Sequence, residues 1–335
     1  LKVVWPASID ASKYEAPGTF TVEGTIVGTQ NKVTATVTVI DEEEAEKQVI
    51  SSSFNLNDIS LDKIGENGSI LTQNRERDLV YLKLLDNKRM LYNFYYTFGE
   101  TDKIANVRPL GGWDEPTGLL RGHSTGHYMS ALALAYASTG DAEIKAKLDE
   151  MVSELHRLQS KSKGNAADFK IHEPGSLSGS LNPSVWSKDP NVWGEGFISA
   201  YSPDQFGLLE IYAPYGSPGS GIWAPYYTLH KLIAGFLDAY TYTGNEEALD
   251  TAKKLGKWVC QRLSTCSQEQ LTKMWAMYIA GEFGGFNESL AQLYIYTKDA
   301  EYLDGAKLFN NTRFFDSLAA NVDDIQGRHA NQHIP

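Results

Sequence analysis

Three stretches decide how this chain folds: His127-Tyr-Met-Ser-Ala-Leu-Ala-Leu-Ala-Tyr-Ala-Ser-Thr-Gly140-Asp141, Lys231-Leu-Ile-Ala-Gly-Phe-Leu-Asp-Ala-Tyr-Thr-Tyr-Thr-Gly244-Asn245 and Gly285-Phe-Asn-Glu-Ser-Leu-Ala-Gln-Leu-Tyr-Ile-Tyr-Thr-Lys298-Asp299. Each begins with polar residues, runs apolar, breaks at a Thr-Gly-Asp-like turn and resumes as a more polar amphipathic stretch. Tyr136, Tyr240 and Tyr294 stand four residues before Gly140, Gly244 and Lys298. Repetition of this kind marks one supersecondary unit used several times.

Working outward, residues 142–160 pair with the first copy and place Leu148, Met151, Val152, Leu155 and Leu158 on one face. Residues 246–262 and 301–309 do the same for the second and third copies. A further helix is expected at 268–281, and a long one at 73–96, where leucines alternate with charges. Helical hairpins on short turns stack side by side. Alternation of apolar and polar-faced helices suits an inner and an outer ring, a helical toroid. Its inner helices run the same way, so their N-terminal ends gather at one mouth. Those ends carry His123, His127, His230, Lys231, Asn287 and Glu288. Three copies are too few to close such a ring, so the toroid is expected to be incomplete.

Residues 161–224 break the pattern. They are rich in Gly, Ser and Pro and hold Trp186, Trp193, Phe197, Tyr201, Phe206, Tyr212, Tyr215 and Trp223. A connection of this length is far beyond an ordinary helical loop, and its aromatics argue against disorder. The expected role is a wall or lid over a concave site.

Residues 1–41 are β-rich. Val3-Val4-Trp5, Thr19 to Ile26 and Lys32 to Ile40 alternate with period two, with turns at Pro17-Gly18 and Thr29-Gln30-Asn31. Residues 42–51, opening with Glu42-Glu43-Glu44, read as an acidic, solvated linker. The remaining 52–335 form the helical domain. Leu1 falls inside a strand and Pro335 in mid-loop, so the chain reads as a piece of a longer polypeptide.

The composition sets limits on function. In 335 residues, 42% are apolar and 21% charged, as in an ordinary globular protein. A net charge of −12 without a basic cluster excludes a nucleic-acid surface. No apolar run approaches the roughly 20 residues of a membrane span. The two cysteines, Cys260 and Cys266, are expected as buried thiols, although a helix end between them would allow a bridge, and their number leaves the redox compartment open.

Several constellations could carry chemistry. His123-x-x-x-His127 has the spacing of zinc hydrolases, but Ser124 stands where a metalloprotease has its glutamate base. His329-x-x-x-His333 has the same spacing in a non-helical segment, and neither pair is taken as a metal site. His230 follows the aromatic run Trp223-Ala-Pro-Tyr-Tyr-Thr-Leu into an inner helix. Glu288 ends Glu282-Phe-Gly-Gly-Phe-Asn-Glu288, where two glycines let backbone approach a ligand and a helix start favours a carboxylate. Asp114-Glu115 could form a carboxylate pair, but adjacent acids on a loop are read as solvated. No nucleophile elbow, Walker loop, dinucleotide fingerprint or Cys-x-x-Cys is present. Sugars stack their C–H faces on aromatic rings and give their hydroxyls to charged or amide groups. A mouth of Trp, Tyr, His, Asn and Glu meets that need.

Four blocks then carry a resemblance: Gly111-Gly-Trp with Arg121-Gly-His-Ser-Thr-Gly-His127 through Asp141, Pro225-Tyr-Tyr-Thr-Leu-His-Lys-Leu-Ile-Ala-Gly235, Glu282 to Glu288, and Gly327-Arg-His-Ala-Asn-Gln-His-Ile-Pro335. In this order the chain resembles the bacterial β-L-arabinofuranosidases of glycoside hydrolase families 127 and 146. Residues 1–41, with Trp5, Tyr14, Pro17 to Phe20 and Val37 to Val39, resemble the C-terminal part of a bacterial immunoglobulin-like domain, a small β-sandwich. The first resemblance implies a mainly α, (α/α)6-barrel domain and retaining removal of β-L-arabinofuranosyl units from plant glycans. It implies a zinc-held cysteine nucleophile and a glutamate acid/base, both downstream of the His-Ala-Asn block. Zinc is therefore expected of the full-length parent, with no catalytic residue or metal ligand within this chain. The residues carried over are substrate contacts: His230 and His329, then Glu288 with Asn287. His127 and Trp223 join them from their place at the mouth. The expected partner is an arabinose-containing oligo- or polysaccharide, and the expected location is extracellular or at the bacterial cell wall. The alternative is a non-catalytic carbohydrate-binding or adhesion module on the same fold.

Overall fold

The computed structural model describes residues 2–41, 70–170, 187–216 and 221–324. The chain divides into two compact units, Leu1–Leu56 and Asn57–Pro335.

In the first unit, β1 (Val3–Val4), β2 (Gly18–Ile26) and β3 (Lys32–Val39) form one antiparallel sheet in the order β1-β2-β3. Phe20 pairs with Val37 and Val22 with Ala35, so the period-two pattern of each strand lands on a common face. Val3 and Trp5 close over Gly24, where a Cβ would lie 2.6 Å from Val3 Cγ1.

The second unit is helical. α1 (Ile70–Leu84), α2 (Asn87–Met90) and α3 (Tyr92–Thr97) occupy the region expected as one helix over 73–96. Asp86 divides it: its carboxylate accepts the Lys88 N–H at 2.9 Å and starts a new turn. Aspartate competes well at such a cap and poorly inside a helix.

The three repeats become α4 (His123–Thr139) with α5 (Ala142–Gln159), α7 (Pro225–Thr243) with α8 (Glu246–Leu263), and α10 (Phe286–Thr297) with α11 (Ala300–Lys307). The short α6 (Asp204–Glu210) and α9 (Gln268–Trp275) lie between them, and α12 (Thr312–Ala319) follows. Each repeat turns by the same chemistry. Gly140, Gly244 and Lys298 adopt left-handed φ values of 67°, 69° and 60°. Their N–H groups donate to Tyr136, Tyr240 and Tyr294 oxygens at 2.7, 2.8 and 2.7 Å. The next residue is at once the cap of the second helix: Asp141 accepts from Glu143 and Ile144, Asn245 from Ala248, and Asp299 from Glu301. Thr139 and Thr297 hydroxyls accept the Asp141 and Asp299 N–H groups, each at 3.2 Å. C-cap and N-cap are thus adjacent residues, and the helix has to reverse there.

α4, α7 and α10 pack in that order as an inner layer, with α5, α8 and α11 outside them. The inner helices are parallel. Residues separated by 55 positions meet at both ends of the α7–α10 contact, His230 with Gly285 and Thr241 with Tyr296. Between α4 and α7 the backbones nearly touch. A methyl group at Gly126 would collide with the Lys231 carbonyl, and one at Gly235 would lie 2.7 Å from the Gly126 oxygen.

Two expectations change. The helix expected at 268–281 ends at Trp275, because the chain doubles back: Ile279 takes φ 57° and Gly281 packs against the Met274 carbonyl. The aromatic stretch expected as a wall or lid is core at 193–206. Trp193, Phe197, Tyr201 and Phe206 are fully buried, and Phe197 and Phe206 meet Trp258 at 4.8 and 5.1 Å between centroids. Fully burying such a ring stabilises the fold by roughly 1.5–3 kcal/mol, more than exposure on a lid would return. Arg262 ties this insert to α8, donating to Glu210 Oε1 at 2.7 Å and to the carbonyls of Ala166 and Phe169 at 3.0 and 2.7 Å. Trp186 lies outside the described residues.

Candidate functional site

Parallel inner helices put the starts of α4, α7 and α10 at one mouth, and each start is held by a different local device. Gly122 precedes α4 without a side-chain cap of its own. Asp114, from the turn Gly112–Asp114, supplies one: it accepts the Gly122 N–H at 2.7 Å and the Ser124 hydroxyl at 2.5 Å. Asp114 is therefore buried, and its reading as a solvated loop acid is corrected; only Glu115 is exposed. The contact is tertiary, so neighbouring residues gave no sign of it.

At α7, Pro225 occupies the first turn, where a missing N–H costs nothing. Ala224 before it is buried and left-handed at φ 43°, a strained conformation for a residue with a Cβ. The Tyr227 N–H donates to the Glu282 carbonyl at 3.2 Å and fastens this start to the turn leading into α10.

That turn carries the most constrained histidine. The Gly285 N–H donates to His230 Nδ1 at 3.2 Å. A Cβ on Gly284, which has φ 61°, would lie 2.6 Å from the same nitrogen. The Gly-Gly pair is needed because the backbone lies against the imidazole. Since Nδ1 accepts, the neutral ring carries its proton on Nε2. His230 is buried, and burial first, then the Lys231 ammonium and His127, pull its pKa down to about 3. The ring is thus a fixed neutral donor at ordinary pH. Both His230 Nε2 and Glu288 Oε2 lie 3.1 Å from the position of a Cβ on Gly285, beside the same bare backbone. Glu288 itself is exposed.

The rest of the mouth surrounds this pair. His127 presents an exposed ring whose proton affinity is lowered by the protein around it, then by Lys231 and His123. Lys231 sits 4.5 Å above the Tyr227 ring, and its partial burial lowers its pKa against the pull of Glu288 and Glu282. Trp223 is half-buried and packs edge-on against Trp113 and Tyr215. Asp238 was not foreseen. It lies seven residues beyond Lys231, on the same face of α7. Burial raises its pKa, and Glu288 adds to that rise while Ser130 of α4 opposes it.

The structure thus brings His127, His230, Glu288 and Trp223 to one mouth. It does not bring Asn287, whose amide donates to the Ala306 carbonyl at 3.0 Å and to Asn310 at 3.2 Å. One helical position from Glu288 is about 100° of rotation, enough to turn Asn287 onto α11. Its reading as a substrate contact gives way to one of helix packing. His329 lies outside the described residues.

The two thiols do not fit a zinc-held nucleophile. Cys260 is buried between α8 and α11 with its Sγ 3.7 Å from the Glu301 carbonyl, and burial pushes its pKa up to about 12. Cys266 is likewise pushed up to about 11. A metal-bound thiol needs the opposite environment. Among the described residues no three His, Cys, Asp or Glu side chains converge as a metal site.

Three parallel inner helices backed by three outer ones, with histidine, carboxylate and aromatic side chains at the inner helix starts, are the architecture of an α/α-barrel domain. The chain matches the model of the β-L-arabinofuranosidase catalytic domain of glycoside hydrolase family 127 over residues 67–335, and it belongs to that family. No curated protein matches it. Among the described residues no helix is long and apolar enough to cross a membrane.

Proposed function

We propose that these residues form the sugar-recognising wall of an enzyme that removes terminal β-L-arabinofuranosyl units from plant glycans outside the cell. The observation that carries this reading is His230. Its Nδ1 is occupied by the Gly285 N–H, its proton is committed to Nε2, and no ordinary pH charges it. A donor so fixed suits a sugar oxygen, and Glu288 beside it suits a sugar hydroxyl. His127 and Trp223 complete the wall, and His329 remains an expected contact.

The zinc-held thiolate expected of the family would supply the nucleophile of a retaining reaction in the complete enzyme. Cys260 and Cys266 are unsuited to that part, so no step is assigned to them. The second reading is a module that binds arabinose-containing glycan without cleaving it.

The test is His230→Ala in the full-length protein, assayed on an aryl β-L-arabinofuranoside. Losing one transition-state hydrogen bond lowers kcat/KM by about ten- to a hundredfold, in a variant that still folds although the cavity and the unpaired Gly285 N–H lower its thermal transition. Unchanged kinetics in a folded variant would return His230 to a structural role. Sugar binding without turnover in the parent protein would favour the second reading.

A further inference from the structure

We propose that Trp113 and Tyr215, with Trp223 shared from the wall at His230 and His123 at their base, form a second sugar subsite that takes the neutral glycan residue next to the one held at His230. It rests on the reading of the His230 pocket given above.

The three aromatics are a continuous wall. Trp223 meets Trp113 at 6.4 Å and 73°, and Tyr215 at 5.6 Å and 80°. Trp113 is 63% exposed and Tyr215 43% exposed, a large apolar surface left in water. Trp113 is exposed without being loose. Its neighbour Asp114 is clamped to the start of α4 through Gly122 and Ser124, and the Asp114 carbonyl accepts from Asn93 at 2.7 Å. Backbone held in this way limits the loop motion that a ligand stacking on Trp113 would otherwise have to stop.

An independent observation points the same way. The His123 side chain is only 8% exposed, and its ring lies among Trp113, His127 and Tyr227 at 5.8, 6.0 and 6.4 Å. Its Nδ1 is turned inward, 2.9 Å from the Leu120 carbonyl and 3.3 Å from Asp114 Oδ2. Two oxygen acceptors on that side place a proton on Nδ1, and Nε2 is the ring nitrogen left to face away from them. Among the described residues no protein donor meets it.

The spacing suits adjacent sugars. Tyr227, which touches His123, stands one turn before His230 on α7, about 5 Å along the axis. Aromatic faces take sugar C–H surfaces, and a sugar hydroxyl, which both donates and accepts, suits the second ring nitrogen of His123. That combination selects a neutral saccharide.

The experiment measures binding of L-arabinose and of an arabinofuranosyl disaccharide to the full-length protein by calorimetry. In the wild type the disaccharide binds at least about tenfold more tightly, the scale of one aromatic anchor. Trp113→Ala, at an exposed position, abolishes that gain and leaves L-arabinose binding unchanged, while Trp113→Tyr restores most of it. Equal affinity for the two sugars, or a disaccharide gain that survives Trp113→Ala, overturns the subsite. If L-arabinose binding is still lost in His230→Ala, the first pocket stands in that case. A wild type that binds neither sugar overturns the His230 pocket and the subsite together.

Discussion

Replacing Lys298 by glycine should stabilise the protein, while replacing Gly140 or Gly244 by alanine should destabilise it. All three positions end an inner helix at φ between 60° and 69° and donate the same backbone hydrogen bond. No atom lies within 4 Å of a Cβ built on Gly140 or Gly244, so alanine there meets no steric obstacle. The penalty is then backbone strain alone, roughly 1–2 kcal/mol for an L-residue in the left-handed region. Alanine also lowers the entropy of the unfolded chain, which returns about 0.4–1 kcal/mol. The net cost is about 1 kcal/mol at each glycine, and Lys298→Gly gains a similar or slightly smaller amount. The Lys298 ammonium, 5.8 Å from the Tyr294 ring, is a minor loss. Urea denaturation reads the effect as opposite shifts in midpoint at constant m-value. Alanine variants as stable as the parent, or a destabilised Lys298→Gly, would show that left-handed caps are not what sets these turns.

Gly126→Ala should cost about 1–3 kcal/mol or more, because its methyl has only the Lys231 backbone to displace; a thermal melt within a degree of the parent would contradict the close packing of α4 on α7. Acid should weaken the α3–α5 corner: Arg157, hydrogen-bonded to Glu100 and Glu154, holds both carboxyls down at about 2, below the ordinary value of 4.5. Their contribution is complete above pH 4.5 and lost as pH falls toward 2. Glu100→Gln should therefore flatten the acid limb of the Tm–pH curve, and an unchanged limb would remove Glu100 from the cause.

The hairpins were readable in the sequence because every part of their turns is local: the threonine, the left-handed residue and the capping Asp or Asn are consecutive. What depended on distant partners was not. The Asp86 break looked like one more charge in a helical run. The aromatics at 193–206 looked like a lid because nothing in their own stretch announces Trp258 and Tyr226 as neighbours. At the mouth, the Gly-Gly before Glu288 was legible as a close approach, but not that the approaching group is the His230 ring. Asn287 was misread from its place in the motif, and Asp238 was hidden in an apolar helix although its spacing from Lys231 could have shown it. The β-strands followed their alternation because one pairing register suits both long strands.

The neighbour-only packing of the hairpins has a consequence for how the second unit assembles. When each hairpin touches just the ones beside it, cooperativity passes from unit to unit, as in a linear array. The second hairpin breaks that simplicity, since α8 contributes Trp258 to the cluster built by Trp193, Phe197 and Phe206. The insert must therefore dock before α8 is fully protected. Amide exchange should accordingly slow together in α8 and in the insert as one block.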